Sequence, residues 1–276
     1  MSNLTVTTVQ ANLTWENKEA NLEMFGDRIR SHREKKELVI LPEMFSTGFS
    51  MNPSALAEPM DGPTITWMKT IAAEQKIILT GSIIVVEDGA YYNRLIWMLP
   101  NGEFGYYDKR HLFAYAGEDK FYKPGSKRLI ASVKGWKINL QVCYDLRFPV
   151  WARQSDSSFA QVTTAPSERI HKGVEYDLLV YVANWPEKRS LAWKTLLQAR
   201  AIENQCYVVG VNRVGNDGND IYHSGDSTII GPMGEILYAK AHEEEVASTM
   251  LDKIKLNEVR ERLPFLNDAD DFLIQT

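Results

Sequence analysis

Leu178-Leu-Val-Tyr-Val-Ala183, halted by Asn184-Trp185-Pro186, is a continuous run without the apolar/polar alternation of a half-wet strand. A strand of that kind is covered on both faces, which is the habit of α/β proteins. Outward from it the chain keeps the same style. Leu38–Leu41 is a short apolar run stopped by Pro42, and Lys137–Val142 reads as a strand ending at Cys143. Leu4–Val9, Phe104–Tyr107, Tyr207–Asn212, Ser227–Ile230, Glu235–Tyr238 and Val246–Leu251 read as further strands. Ile77–Val86 and Tyr91–Leu99 are joined by Glu87-Asp88-Gly89-Ala90, where Asp-Gly is a hairpin signal. Helices are predicted over 16–36, with Leu22, Phe25 and Ile29 on one face, and over 63–76, opening with Pro63. Two more are predicted over 190–204, with Leu191, Leu197 and Ile202 inward, and over 253–262, which is highly charged. The alternation predicts one mixed α/β domain over 1–276, its sheets sandwiched between helices. No Ser/Gly/Pro-rich linker, repeat or low-complexity tract divides it. Residues 155–175 are polar and match neither period; they read as a surface loop or strand-like excursion, a lid or a plain insertion.

Composition narrows the function. Hydrophobic residues make up 44%, charged 24% and aromatic 11%, which excludes disordered, collagen-like and coiled-coil chains. A formal net charge of −5 supplies no electrostatic reason to bind nucleic acid or an anionic membrane. The first thirty residues reach Glu16 and Glu19 without a basic start and an apolar core, so no signal peptide is expected. The longest nearly apolar stretch, Ile77 to Val86, is too short to span a bilayer, and a cytoplasmic location is the expectation. The cysteines are Cys143 and Cys206, with no CxxC and no Cys/His spacing, so neither a zinc site nor a disulfide framework is expected. The Asn-Leu-Thr triplets at Asn3 and Asn12 fit the glycosylation pattern but carry little weight in a cytosolic chain.

Three groups each follow a separate strand. Glu43 ends Leu38-Val-Ile-Leu-Pro-Glu, where desolvation can make a carboxylate a useful base. Lys109 follows a short strand in Tyr106-Tyr-Asp-Lys-Arg-His, where its ammonium could stabilise a thiolate and an oxyanion. Cys143 sits between a strand and Pro149, at a turn whose peptide N–H groups would favour the thiolate. Taken singly, each has a plain structural reading: a capping carboxylate, a surface lysine, a buried small hydrophobe. The combination carries the signal.

Several stretches resemble the nitrilase, or carbon–nitrogen hydrolase, superfamily: Leu-Pro-Glu-Met-Phe at 41–45, Tyr-Asp-Lys-Arg-His-Leu-Phe at 107–113 and Val-Cys-Tyr-Asp-Leu-Arg-Phe-Pro at 142–149. Ala-Asn-Trp-Pro at 183–186, Ala-Arg-Ala-Ile-Glu-Asn at 199–204 and Ser-Gly-Asp-Ser at 224–227 add to it, so the resemblance runs from about Leu4 to Phe272. Pro-Glu-Met-Phe-Ser-Thr-Gly-Phe-Ser-Met at 42–51 and Val-Ala-Asn-Trp-Pro at 182–186 are most similar to the bacterial omega-amidase branch. The resemblance implies a four-layer α-β-β-α sandwich, a homodimer, and no metal or organic cofactor. It implies a triad of Glu43, Lys109 and Cys143, with Glu118 matching the family's second glutamate. Close relatives run almost directly from the segment after Pro149 to the strand at Tyr176, so 155–175 is a departure from the pattern.

The implied reaction is hydrolysis of the terminal amide of 2-oxoglutaramate or 2-oxosuccinamate through a cysteine thioester. Lys109 and the Tyr144 peptide N–H would hold the oxyanion. The far carboxylate of such a substrate needs a cation. Arg147 is a candidate, unless it pairs internally with Asp145 or Glu203. Phe49, Tyr115 and Trp185 could wall the pocket, or be plain core. His111 and His223 read as hydrogen-bonded structural histidines near the site, and Cys206 as packing. Two other readings stay open at this stage: a different amide, carbamoyl or nitrile hydrolase of the same superfamily, and a non-catalytic, redox-responsive binding protein with a reactive Cys143.

Overall fold

The computed structural model describes residues 3–154, 174–270, 272 and 274. In chain order the elements are β1 (Leu4–Gln10), α1 (Lys18–Ser31), β2 (Leu38–Ile40), α2 (Pro53–Leu56), α3 (Pro63–Gln75), β3 (Ile78–Glu87), β4 (Ala90–Met98), β5 (Phe104–Asp108), α4 (Glu118–Phe121), β6 (Leu129–Val133), β7 (Trp136–Val142), α5 (Pro149–Ala152), β8 (Leu178–Ala183), α6 (Ser190–Asn204), β9 (Tyr207–Asn212), β10 (Val214–Asn216), β11 (Tyr222–Ile230), β12 (Ile236–Ala241), β13 (Glu245–Leu251) and α7 (Lys253–Arg262). They build two sheets, ordered β13-β1-β2-β3-β4-β5 and β10-β11-β9-β8-β7-β6, with β12 paired to β11. Each sheet has a parallel centre, β1/β2/β3 in one and β7/β8/β9 in the other, flanked by antiparallel strands. No described helix is long and apolar enough to cross a membrane.

The unbroken apolar runs follow from this layering. In β2, Leu38 and Ile40 join the cluster shared with Leu140 and Val142 of the other sheet. Val39 and Leu41 point the opposite way, into a second cluster with Phe25 and Ile29 of α1 and Ile65 and Met68 of α3. Successive side chains alternate faces, and here both faces are dry. All six residues of β8 are fully buried for the same reason. The carboxyl ends of such parallel strands are where an open α/β sheet places its ligand sites. Glu43, Cys143 and Asn184 follow β2, β7 and β8 in turn.

Several boundaries differ from the sequence expectation. The hairpin is tighter than expected: Glu87 and Ala90 pair, leaving a two-residue turn with Asp88 at φ 49° and Gly89 at φ 73°. Helix α1 starts after Asn17, whose side chain accepts from the Ala20 N–H, and ends at Ser31, before a charged stretch with no apolar face to bury. Helix α6 turns a different face inward. It buries Trp193, Leu197, Arg200, Ala201 and Asn204, and leaves Leu191 and Ile202 exposed, contrary to the expected inward set. Strands β6 and β10 had no sequence reading. The 155–175 segment lies outside the described residues except for 174 and 175. The Glu175 and Tyr176 N–H groups both donate to Gln154 Oε1, so the chain enters and leaves that segment at one place.

One ionised side chain joins the two sheets at their edge. Glu37 accepts from the Thr5 N–H at 2.8 Å and from Lys134 Nζ, in the β6–β7 turn, at 2.6 Å. Burial alone would raise its pKa, but Lys134, the Thr5 N–H and Lys35 outweigh this and hold it at about 2. A depressed carboxyl contributes stability that is present above its unfolded value and lost as pH falls towards its folded one. Glu37→Gln is therefore expected to lower the melting temperature at pH 7 by on the order of a few degrees. The difference from wild type should shrink between about pH 4.5 and 2, as thermal melts across pH would read.

Candidate active site

Two carboxylates converge on one ammonium. Lys109 leaves β5 and its Nζ donates to Glu43 Oε1 at 2.9 Å and to Glu118 Oε1 and Oε2 at 3.0 and 2.9 Å. Glu43, Lys109 and Glu118 are all fully buried. Gly117, at φ 78°, turns the chain so that Glu118 begins α4 facing inward, and the Phe113 N–H donates to Glu118 Oε2. Glu43 Oε2 accepts from the Asn184 N–H at 2.8 Å, across from the other sheet. Asn93, on β4, completes the cluster: its Nδ2 donates to Glu43 Oε1 at 2.8 Å and to Glu118 Oε1 at 3.2 Å.

Cys143 stands beside these groups at φ 46°, a left-handed conformation that a side chain tolerates only when its surroundings impose it. Asp145 imposes it. Its Oδ2 accepts from the Val142 N–H and the Tyr107 hydroxyl, and its Oδ1 from the N–H and Nδ1 of His111. One carboxylate thus ties the cysteine turn to the loop that carries Lys109. His111 has the structural role expected of it: beside a carboxylate its Nδ1 donates, and its ring stacks on Phe148 with centroids 3.8 Å apart.

Burial works against the thiolate that the turn N–H groups would favour. Burial pushes the Cys143 thiol well up, Glu43 adds to this, and Lys109 only partly opposes it. For Lys109, burial would lower the pKa, but Glu118 and Glu43 outweigh it and hold the ammonium charged. Glu118 is itself raised by burial, against the pull of Lys109. The resting thiol is therefore protonated, and a nearby carboxylate has to accept its proton before sulfur can attack.

A cleft opens over Cys143, lined by Phe49, Phe113, Tyr144, Arg147, Trp185 and Arg189 among others. Of the expected wall residues, Phe49 and Trp185 are present; Phe49 also places its ring centroid 5.1 Å from Lys109 Nζ. Tyr115 is not part of the wall. It is 88% exposed, because the short turn Ala114–Ala116 directs Phe113 and Ala116 to the cleft and Tyr115 to solvent. Arg147 lies over the Trp185 ring, 5.1 Å from its centroid. Its supposed internal partners are engaged elsewhere, Asp145 as described and Glu203 with Arg200 at 2.9 Å. Among the described residues no carboxylate pairs with Arg147. Sequence reasoning missed Arg189, whose guanidinium lies 5.2 Å from the Phe113 centroid at the same cleft. His223 also reaches the cleft wall; burial and nearby Arg213 push its pKa down to about 4, so it brings no charge there. Cys206 is buried and unpaired, as packing. Among the described residues, no group of three or more His, Cys, Asp or Glu side chains is placed to hold a metal ion.

The chain matches known proteins over nearly its whole length. The family described as carbon-nitrogen hydrolase matches residues 5–262. Omega-amidase YafV of Escherichia coli (strain K12) is 41% identical over 273 residues, covering 99% of both chains. A 2-oxoglutaramate amidase of Bacillus subtilis (strain 168) is 29% identical, covering 96% of each chain. Among solved structures, a CN-hydrolase superfamily protein from Xanthomonas campestris, with an arsenic adduct in its active site, superposes with a TM-score of 0.92 at 41% identity over the whole of both chains.

Proposed function

Since this chain belongs to the carbon–nitrogen hydrolase family, we propose that it is a cysteine-dependent omega-amidase. It would release ammonia from the terminal amide of a 2-oxo dicarboxylic acid monoamide such as 2-oxoglutaramate or 2-oxosuccinamate. The observation that carries this reading is the buried Glu43–Lys109–Glu118 cluster beside Cys143, under a cleft rimmed by Arg147, which pairs with no carboxylate among the described residues. Glu43 accepts the thiol proton as Sγ bonds to the amide carbon. The oxyanion is held by Lys109 and the Tyr144 peptide N–H, each worth on the order of 3 kcal/mol when preorganised. Glu43 then returns the proton to the amide nitrogen, the C–N bond breaks and ammonia leaves. Water, giving its proton to Glu43, attacks the thioester; the C–S bond breaks and the acid departs from a reprotonated Cys143. Glu118 touches no reacting atom in this scheme and keeps Lys109 aimed and charged.

Arg147 would grip the substrate carboxylate through its planar fork, with Trp185 as its stacking support. A hydrogen bond to a charged group is worth about 1.5–3 kcal/mol. Arg147→Ala is therefore expected to raise KM for 2-oxoglutaramate by about 10- to 100-fold with little change in kcat. A simple uncharged amide should be unaffected. Ammonia release by wild type and variant, with glutamine and a simple nitrile alongside, tests the whole reading. Nitrile turnover above 2-oxo amide turnover would move the protein elsewhere in the family. Release from no short amide would end the amidase proposal. The resemblance also implies a homodimer. Val150, Leu191 and Ile202 on α5 and α6 are exposed apolar residues that such an interface could cover. Sedimentation would separate the 31.5 kDa chain from twice that mass.

A further inference from the structure

We propose that Asn93 is a positioning residue that lets two buried carboxylates share one ammonium while Glu43 remains able to take the Cys143 proton. This rests on the roles proposed above for Glu43 and Cys143. Two carboxylates and one ammonium, all shielded from water, leave one negative charge in excess. A buried ion without enough donors does not stay ionised; it takes up a proton.

The two carboxylates draw on the same kinds of donor, with Lys109 making two contacts to Glu118 and one to Glu43. Each carboxylate accepts from Lys109, from one peptide N–H (Asn184 for Glu43, Phe113 for Glu118) and from Asn93 Nδ2. Among the described residues, Asn93 is thus the one neutral side chain that hydrogen-bonds to both. Its two amide hydrogens are enough for both carboxylates, and it adds no charge of its own. The opposite orientation would set its carbonyl against two acceptors. The orientation present leaves Asn93 Oδ1 without a partner. The backbone holds the residue in place independently, since Asn93 pairs with Ile84 in β3 and its carbonyl accepts from the Lys109 N–H.

The charged and titratable groups facing this amide are Glu43, Lys109, Glu118 and the Cys143 thiol, with the Tyr122 phenol nearby. Burial pushes that phenol well above its ordinary value, so it stays neutral. Arg94, with Asp108 and Glu87, is on the opposite face of β4. Without Asn93 the two carboxylates would lose a donor each, and one of them would hold a proton at a higher pH. A protonated cluster cannot accept the thiol proton.

The test is the rate of Cys143 alkylation by iodoacetamide across pH, read by mass spectrometry, for wild type, Asn93→Thr, Asn93→Ala and Asn93→Asp. In this reaction sulfur displaces iodide and the thiol proton passes to the cluster, so the rate falls on the acidic side where the cluster is already protonated. Losing both donors in Asn93→Ala should move that acidic limb up by about one pH unit. Threonine, with one hydroxyl donor, should move it less, and aspartate, a third carboxylate, more. Circular dichroism melts show which variants fold, and the threonine variant keeps the test open if aspartate does not. A uniform loss of rate at every pH with the limb unmoved would reduce Asn93 to a packing role and overturn the proposal, as would a downward shift in Asn93→Asp. Failure of the amidase reading would show in ammonia release and not in this profile.

Discussion

Cys143→Ala is expected to fold as the wild type does and to lose ammonia release by ~10⁴-fold or more. Removing sulfur deletes the nucleophile proposed beside the Glu43–Lys109 pair; the other cysteine, Cys206, is buried in the packing around Arg200. The substitution itself is mild. Cys143 is 9% exposed, and alanine fits where a thiol fitted, although the positive φ of 46° stays as awkward for alanine as for cysteine. Melting curves and steady-state ammonia release measured together separate the two effects. A variant with wild-type stability and a tenth or more of wild-type activity would remove Cys143 from the chemistry.

Lys109→Met should be costly in both respects. The side chain keeps its length but loses the charge that two fully buried carboxylates depend on. Breaking a buried ion pair from one side costs about 3–5 kcal/mol, because the partner is left buried and uncompensated. Catalysis should fall by about 10³-fold or more as an oxyanion donor disappears. Burial already raises Glu118 with Lys109 present. Without the lysine its folded value rises further above the unfolded one, so the stability deficit should shrink as pH falls and Glu118 takes up a proton. Adding Glu118→Gln should recover part of the stability at neutral pH and none of the activity. Urea unfolding of the three proteins at two pH values reads this. A single variant as stable as wild type would mean that the cluster is not charged as described.

Part of the cluster proposed as catalytic was legible because Glu43 and Cys143 follow strands whose dryness is written in the sequence. Leu38–Leu41 and the run ending at Cys143 place Glu43 and the thiol at parallel strand ends, and the family motifs add Lys109 and Glu118. Asn93 carried no such sign. It lies mid-strand among Tyr91, Tyr92 and Arg94, and only the approach of α4 and of the loop after β2 makes its face functional. Arg189 was hidden for the opposite reason: in Glu187-Lys188-Arg189 it looks like one more solvated charge until the turn into α6 brings it to the Phe113 ring. The face of α6 was misjudged because Leu191 and Ile202 are apolar yet lie off the stripe formed by Trp193, Leu197 and Ala201. The buried stripe includes Arg200 and Asn204, whose polar ends meet the Leu146 carbonyl, Glu203 and the Gln154 N–H, contacts that periodicity alone does not reveal. The balance of forces on the thiol was legible only in part. Turn N–H groups can be read from sequence, but burial and a facing carboxylate, which act in the other direction, belong to the tertiary structure.

The most direct measurement is a rapid-quench experiment with wild-type enzyme in excess over 2-oxoglutaramate, followed by peptide mass spectrometry, with hydroxylamine added in a parallel run to capture the acyl group. The account predicts a transient 2-oxo dicarboxylic acyl adduct on the Cys143 peptide. It should form with the ammonia burst and decay with release of the acid, or pass to hydroxylamine. Ammonia release with Cys143 unmodified at every quench time, and no hydroxamate formed, would contradict covalent catalysis by this cysteine.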